Sequence, residues 1–340
     1  MLALVTGSPP SAYDWSGRRV LVTGAGGFIG SHLVERLVRL GADVRGFFRY
    51  TSGGSRGWIE HADAEIRDAV DPVLGDLRDA DAVQQAVRGT DVIFHLGALI
   101  GIPYSYVHPR ETFETNVAGT LNVVTAARDH DVSLLVHTST SETYGTATYV
   151  PIDEKHPLQA QSPYSATKIA ADKLAESFHH SYAVPVTTVR PFNTYGPRQS
   201  PRAVIPTIAS QALHGTTVTL GHLSPTRDFT HVSDTVDGFV RAATVGAVGR
   251  TFNLGSGEEI SIGDLVELVG EILGKQLEVE HDPRRDRPES SEVDRLRADN
   301  ALAREVLGWE PTVSLRDGLR ETLEWIGATR QSPHPGAYAI

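Results

Sequence analysis

Tyr164-Ser165-Ala166-Thr167-Lys168 sets a phenol and an ammonium four residues apart. On a helix both side chains leave from one face. The ammonium of Lys168 is expected to lower the pKa of the Tyr164 phenol. A phenolate poised nearer neutrality can take a proton from an alcohol or sugar hydroxyl. The hydride leaving the same carbon needs an acceptor, which a nicotinamide supplies. Two further stretches belong with this pair: Ser139-Thr140-Ser141-Glu142 upstream, and a glycine-rich turn near the start. Tyr-x-x-x-Lys alone recurs by chance in helices; the three stretches in this order are specific.

Gly24-x-x-Gly27-x-x-Gly30, with Phe28 and Ile29 inside it, lies between the apolar run Arg19–Thr23 and a helical pattern through Leu33, Leu37 and Leu40 that stops at Gly41. Such glycines either make a turn with no ligand or let backbone amides approach a pyrophosphate at a helix N-terminus. The strand, turn and helix together favour the dinucleotide. NAD-binding chains usually place an acid after the second strand. Here that strand runs into Arg49, Ser52 and Arg56. These three are either solvated loop residues or a grip for a 2′-phosphate, so the expected cofactor is NAD(P)+ with NADP slightly favoured. Asp76, in Gly75-Asp76-Leu77, suits an adenine amino group.

These residues need a scaffold. Strand patterns at 43–48, near 73–74, and at 91–96, 134–138 and 186–190 alternate with helical ones at 80–88, at about 113–130, and through Tyr164 and Lys168 to about Tyr182. That alternation predicts an α/β fold with a Rossmann-type doubly wound parallel sheet. After Pro191 the rhythm breaks into loops and short elements. Phe229–Val232 and Thr251–Leu254 are expected to return to the main sheet, and 281–297 to be a charged loop. The expected organisation is a tail at 1–16, a dinucleotide-binding domain at 17–192 plus about 229–254, and a smaller C-terminal α/β substrate lobe at 193–228 and 255–330. Residues 331–340 form a second tail.

With 340 residues the chain can hold one large domain or two coupled ones. It has no cysteine, which excludes disulfides and thiolate chemistry. A formal net charge of −11 argues against nucleic-acid binding as the main task. No apolar run reaches membrane-spanning length and the first residues do not read as a signal peptide, so a cytoplasmic enzyme is expected. Among 14 histidines none shows metal-ligand spacing, and no metal is expected.

The glycine turn, Phe94-His95-Leu96-Gly97-Ala98, Asn116, Ser139-Thr140-Ser141-Glu142-x-Tyr144-Gly145, Tyr164-x-x-x-Lys168, Arg190-Pro191-Phe192-Asn193-x-Tyr195-Gly196-Pro197-Arg198 and Arg227-Asp228-Phe229 together resemble the extended short-chain dehydrogenase/reductase superfamily, in its nucleotide-sugar epimerase/dehydratase branch. The resemblance runs from residue 18 to about 326. It implies that Tyr164 removes a sugar 4-hydroxyl proton, that Lys168 tunes it and binds nicotinamide ribose, and that Thr140 shares the bond to the 4-oxygen. Leu77, Leu96, Ala98 and Pro191 would line the cofactor. It also implies a homodimer formed through the helices at about 113–130 and 165–182.

A narrower resemblance, to N-acetylhexosamine-nucleotide 4,6-dehydratases of legionaminic-acid-type pathways, rests on Ala98–Tyr106, Tyr144–Ala147, Ser200–Pro206, Thr226–Phe229 and Arg287–Val293. It points to Pro103, Tyr104, Asn193, Arg202, Val204, Arg227 and Arg287 as substrate contacts. The three arginines suit a diphosphate. Glu142 would be the base at C5, and Ser141, where many glucose-nucleotide dehydratases have an acid, would donate or relay the proton to O6. A 4-epimerase and a uronic-acid decarboxylase remain as alternatives.

Overall fold

The computed structural model describes residues 14–329. Residues 1–13 and 330–340, with most of the first expected tail and all of the second, lie outside the described residues. Trp15, which sequence position assigns to the tail, belongs to the core instead: it is 4% exposed and its ring lies 6.2 Å from that of Phe94. Burying an indole outweighs ordering the few residues before the first strand.

In chain order the strands are β1 (Arg19–Thr23), β2 (Asp43–Arg49), β3 (Asp71–Gly75), β4 (Val92–His95), β5 (Leu134–Thr138), β6 (Val186–Pro191), β7 (Asn193–Tyr195), β8 (Thr217–Leu220), β9 (Thr226–Arg227), β10 (Phe229–His231), β11 (Thr251–Leu254), β12 (Ile260–Ser261) and β13 (Glu278–His281). The helices are α1 (Phe28–Arg39), α2 (Ala64–Ala69), α3 (Ala80–Val87), α4 (Ile102–Val107), α5 (Pro109–Phe113), α6 (Gly119–Asp129), α7 (Pro163–Tyr182), α8 (Val204–His214), α9 (Val232–Val245), α10 (Ile262–Leu273), α11 (Ala301–Leu307) and α12 (Leu315–Thr329).

The main sheet has the order β3-β2-β1-β4-β5-β6-β11, every pair parallel. Its central strands β1, β4 and β5 are buried on both faces, which explains the apolar runs Val20–Val22, Val92–Phe94 and Leu134–Val136. One face packs Leu33, Leu37, Phe239 and Trp309, and the other Val83, Val123, Ala127 and Ala175. The smaller lobe has its own core of Ile205, Ile208, Leu265 and Leu319.

Three expectations need correction. Phe229–Val232 does not join the main sheet: β10 pairs with β7 in a separate ribbon, because β11 occupies the edge beside β6 with Thr251 opposite Thr188. The single helix expected at about 113–130 is α5, a π-helical turn at Glu114–Ala118, and α6. The turn puts Asn116 where its side chain grips Leu99 through both backbone groups at 2.8 and 2.9 Å. π-turns of this kind often mark functional sites. The stretch at 281–297 is mostly irregular, but His281 closes β13, which pairs with β8.

Candidate active site

Both main site elements leave the carboxyl edge of the sheet, where open α/β sheets bind ligands. Thr140–Tyr144 follows β5. α7 starts from a capping box in which Ser162 and Ser165 hold each other, with Pro163 at the first helical position. The Tyr164 amide donates to Ser105 Oγ at 3.2 Å. This fastens the first turn to α4, part of the loop expected to contact substrate.

Tyr164 and Lys168 are 7% and 5% exposed. Burial pushes the phenol of Tyr164 up, the charge of Glu142 adds to this, and a hydrogen bond with Thr140 opposes both. The expected lowering by Lys168 is not what the geometry gives. Lys168 Nζ donates to the Thr138 carbonyl at 2.6 Å, and burial lowers its own pKa to about 8 against the pull of Asp172. Desolvation of the phenol outweighs a cation whose hydrogen bond is spent on the backbone.

Asp172 is a site residue that motif reading missed. Its signal was present: it lies four residues after Lys168, on the same helical face as Tyr164. Its carboxylate accepts from Ser139 Oγ at 2.6 Å and Arg190 Nη2 at 2.8 Å, and lies 3.0 Å from His137 Nε2. Burial raises its pKa, but His137 and Arg190 outweigh this and hold it well below the usual carboxylate range. Burial also lowers His137, so the neutral ring donates Nε2–H to Asp172 and the contact is a hydrogen bond rather than an ion pair. Arg190 continues to the Tyr144 hydroxyl at 2.8 Å, and Tyr144 to Asn253 at 2.8 Å. The histidine quoted in the Phe94–Ala98 motif is structural as well. His95 lies between Thr23 and Thr120 at 2.8 and 3.1 Å.

Thr140 caps the short turn after β5 through the Glu142 amide at 3.3 Å. Ser141 is buried and Glu142 partly so. Glu142 lies 3.7 Å from Arg287 Nη1, which is 3.8 Å from Glu292. Arg227, almost wholly buried, donates to Glu292 at 3.1 Å. Arg227 and Arg287 thus meet two carboxylates. Arg287 Nη1 is buried with no hydrogen bond. Arg202 is exposed and outside this cluster. Tyr104 bonds Glu111 at 2.5 Å, Pro103 is in the first turn of α4, and Val204 opens α8. Asn193 is held to the Asp228 carbonyl by its backbone and side-chain amides at 3.0 and 3.3 Å.

The turn after β1 fits a dinucleotide. Gly24 has φ +70°, and a Cβ there would meet the Gly97 amide at 2.9 Å; one at Gly30 would collide with the Gly24 carbonyl. Gly27 caps α1 without a side-chain bond, so the first amides of the helix, around Phe28 and Ile29, have no side-chain acceptor at the cap. Leu77 packs against Gly97, and Leu96, Ala98 and Pro191 continue from the ends of β4 and β6. Asp76 is engaged by Arg78 at 2.6 and 2.9 Å. Arg49 is exposed and 3.5 Å from Glu111, Ser52 is exposed, and Arg56 is half-buried beside Gly26.

The model of the GDP-mannose 4,6 dehydratase family matches residues 21–322. Over 90% of this chain and 98% of the relative, the chain is 39% identical to a UDP-glucose 4-epimerase of Mycolicibacterium smegmatis. It is 32% identical to UDP-glucuronic acid decarboxylase 5 of Arabidopsis thaliana over 91% and 89%. The dTDP-glucose 4,6-dehydratase DesIV of Streptomyces venezuelae, solved with NAD and TYD bound, superposes with a TM-score of 0.84 at 32% identity, covering 93% of this chain and 99% of that one.

Proposed function

Because the chain belongs to the GDP-mannose 4,6 dehydratase family, whose relatives include nucleotide-sugar epimerases, dehydratases and decarboxylases, we propose that it is a nucleotide-sugar 4,6-dehydratase acting on a nucleoside-diphosphate N-acetylhexosamine. The observation carrying this reading is Glu142, a part-buried carboxylate close enough to Tyr164 to raise its pKa. A 4,6-elimination needs such a base at C5; a simple 4-epimerisation does not.

When bound, the nicotinamide of NAD(P)+ supplies a hydride acceptor for C4 and returns the hydride at C6, so it is regenerated in place. Tyr164 takes the proton of the 4-hydroxyl while Thr140 hydrogen-bonds the same oxygen. Lys168 contributes its charge to the site and would hold the nicotinamide ribose. The 4-ketone acidifies the C5 proton, which Glu142 removes and, after exchange with solvent, returns to C5 as the hydride reaches C6. Ser141 gives or relays a proton to the departing 6-oxygen. Arg227 and Arg287 hold the diphosphate, an assignment supported by the unbonded Nη1 of Arg287. Arg202 would meet the substrate from the outer loop, with Pro103, Tyr104, Asn193 and Val204 shaping the sugar pocket. The N-acetyl group rests on the resemblance of the Ala98–Tyr106 loop.

The assembly is a homodimer through α5, α6 and α7, where Phe113, Leu121 and Tyr182 are exposed. A cytoplasmic location goes with this substrate. No helix among the described residues is long and apolar enough to cross a membrane.

A second reading, a 4-epimerase, is favoured by Ser141, which stands where a dehydratase commonly has an acidic proton donor. Incubation with uridine- and guanosine-diphosphate hexoses, N-acetylhexosamines and uronic acids in deuterated water, read by mass spectrometry, decides between them. Loss of water with one deuterium gained from an N-acetylhexosamine substrate is expected. An unchanged formula with a new retention time, or release of carbon dioxide, replaces the reading with epimerase or decarboxylase.

A further inference from the structure

Away from the cleft, the smaller lobe brings together His222, His281 and Asp286, whose ligand atoms all lie within 4.8 Å of one another. We propose that these three side chains form a site for a divalent transition-metal ion of borderline softness, with Zn2+ as the type case.

His222 is far in sequence from His281 and Asp286, and the fold joins them. β8 and β13 run parallel with Leu220 opposite His281, so His222, two residues past Leu220, reaches the same strand end. The two imidazoles stack with centroids 6.0 Å apart and planes 17° from parallel. Their Nε2 atoms converge on one carboxylate. His281 Nε2 is 3.0 and 3.2 Å from the Asp286 oxygens, and His222 Nε2 is 3.4 Å from Oδ1.

Metal–ligand lengths of about 2.0–2.2 Å in tetrahedral geometry put neighbouring donors about 3.3 Å apart. The spacings to Asp286 already match. Two nitrogens and one carboxylate oxygen are the donor set of open zinc sites, with a fourth position left to solvent. The carboxylate is backed by Gly221, where a Cβ would stand 2.8 Å from Asp286 Oδ1, so the two approach closely enough to limit its movement. Asp282 pairs with Arg284 at 2.9 Å and Arg285 at 3.6 Å, which tempers the cations nearest the site. Both histidines are about half-exposed, so an ion can enter.

The ion would cross-link the ends of β8 and β13 to the turn that leads directly into Arg287. It would therefore restrain the segment presenting that guanidinium to Glu142.

The test is calorimetric titration of untagged, chelator-stripped protein with ZnCl2, beside the double variant H222Q/H281Q. These side chains are exposed, so the variant should fold, which a matching far-UV spectrum checks. One Zn2+ per chain, a rise in Tm with Zn2+, and loss of both in the variant are expected. The loss of affinity should exceed the 10–100-fold typical of removing a mere supporting partner. Four-coordinate Co2+ bands in the visible spectrum would give the same answer independently. No saturable binding by the wild type, or equal binding by the variant, overturns the site and leaves the cluster as an ion pair.

Discussion

Asp172 and Arg190 form a buried ion pair, 2.8 Å apart, and the charge of Asp172 also reaches Lys168, whose ammonium donates to the Thr138 carbonyl. Removing one charge from such a pair strands the other. Asp172→Asn should therefore cost about 3–5 kcal/mol, measured by urea denaturation. The wild type should draw on this pair only where Asp172 is ionised. Its folded pKa is depressed, so the contribution is fully present above the unfolded value of about 4 and is lost as pH falls below it. The gap in stability between wild type and variant should shrink below that pH. A constant gap from pH 7 to 3 would contradict the assignment.

Lys168 runs the opposite way. Burial lowers its pKa to about 8 from the ordinary lysine value of about 10.5. Between those values the unfolded chain binds a proton that the folded one has released, so this group adds stability as pH rises through that window and costs stability below it. The cost at neutral pH is of order 3 kcal/mol, offset by a hydrogen bond to Thr138 worth about 1–1.5 kcal/mol. Lys168→Met should thus unfold at higher denaturant at pH 7, by about 1–2 kcal/mol, while losing activity. In the wild type, activity should fall as pH rises through about 8, where the ammonium is lost. A destabilised Lys168→Met protein would sink the idea that function holds a costly charge here.

The sheet was legible because its central strands are buried on both faces and its flanking helices amphipathic. The same rules could not see β10. Phe229-Thr230-His231 has a strand's composition, but whether it meets β6 or β7 depends on β11 reaching that edge first. In the site, Thr140, Glu142, Tyr164 and Lys168 follow from spacing on one turn and one helix. The direction of the Tyr164 pKa did not follow, because desolvation depends on the whole surroundings and not on the nearest cation. Asp172 was one helical step beyond a recognised motif. His222 has no short sequence spacing to His281 and Asp286, since a parallel strand pair brings it to them.

Arg49 tests the cofactor preference. Its guanidinium is exposed and 3.5 Å from Glu111, a contact worth at most about 1 kcal/mol in water. A 2′-phosphate would compete with it easily. Arg49→Ala should weaken NADP+ binding by about tenfold, the loss of one charge-assisted bond, and leave NAD+ binding nearly unchanged, as read by titration of each nucleotide. Equal effects on both would remove Arg49 from selection.

In the proposed mechanism Glu142 separates oxidation at C4 from chemistry at C5. Tyr164 and Thr140 need no carboxylate to take the 4-hydroxyl proton, so Glu142→Gln should still reduce bound cofactor on mixing with substrate. Glutamine keeps the shape but cannot accept the C5 proton. Deuterium entry at C5 should fall by about 10²–10⁴, the range for a lost general base. Arg287→Met should behave differently. It removes the cation 3.7 Å from Glu142 and the proposed diphosphate contact together, so KM should rise more than kcat falls. If Glu142→Gln exchanges C5 at the wild-type rate, the carboxylate merely orders the loop. The 4-epimerase reading, which needs only Tyr164, Lys168 and Thr140, then becomes the better account of this site.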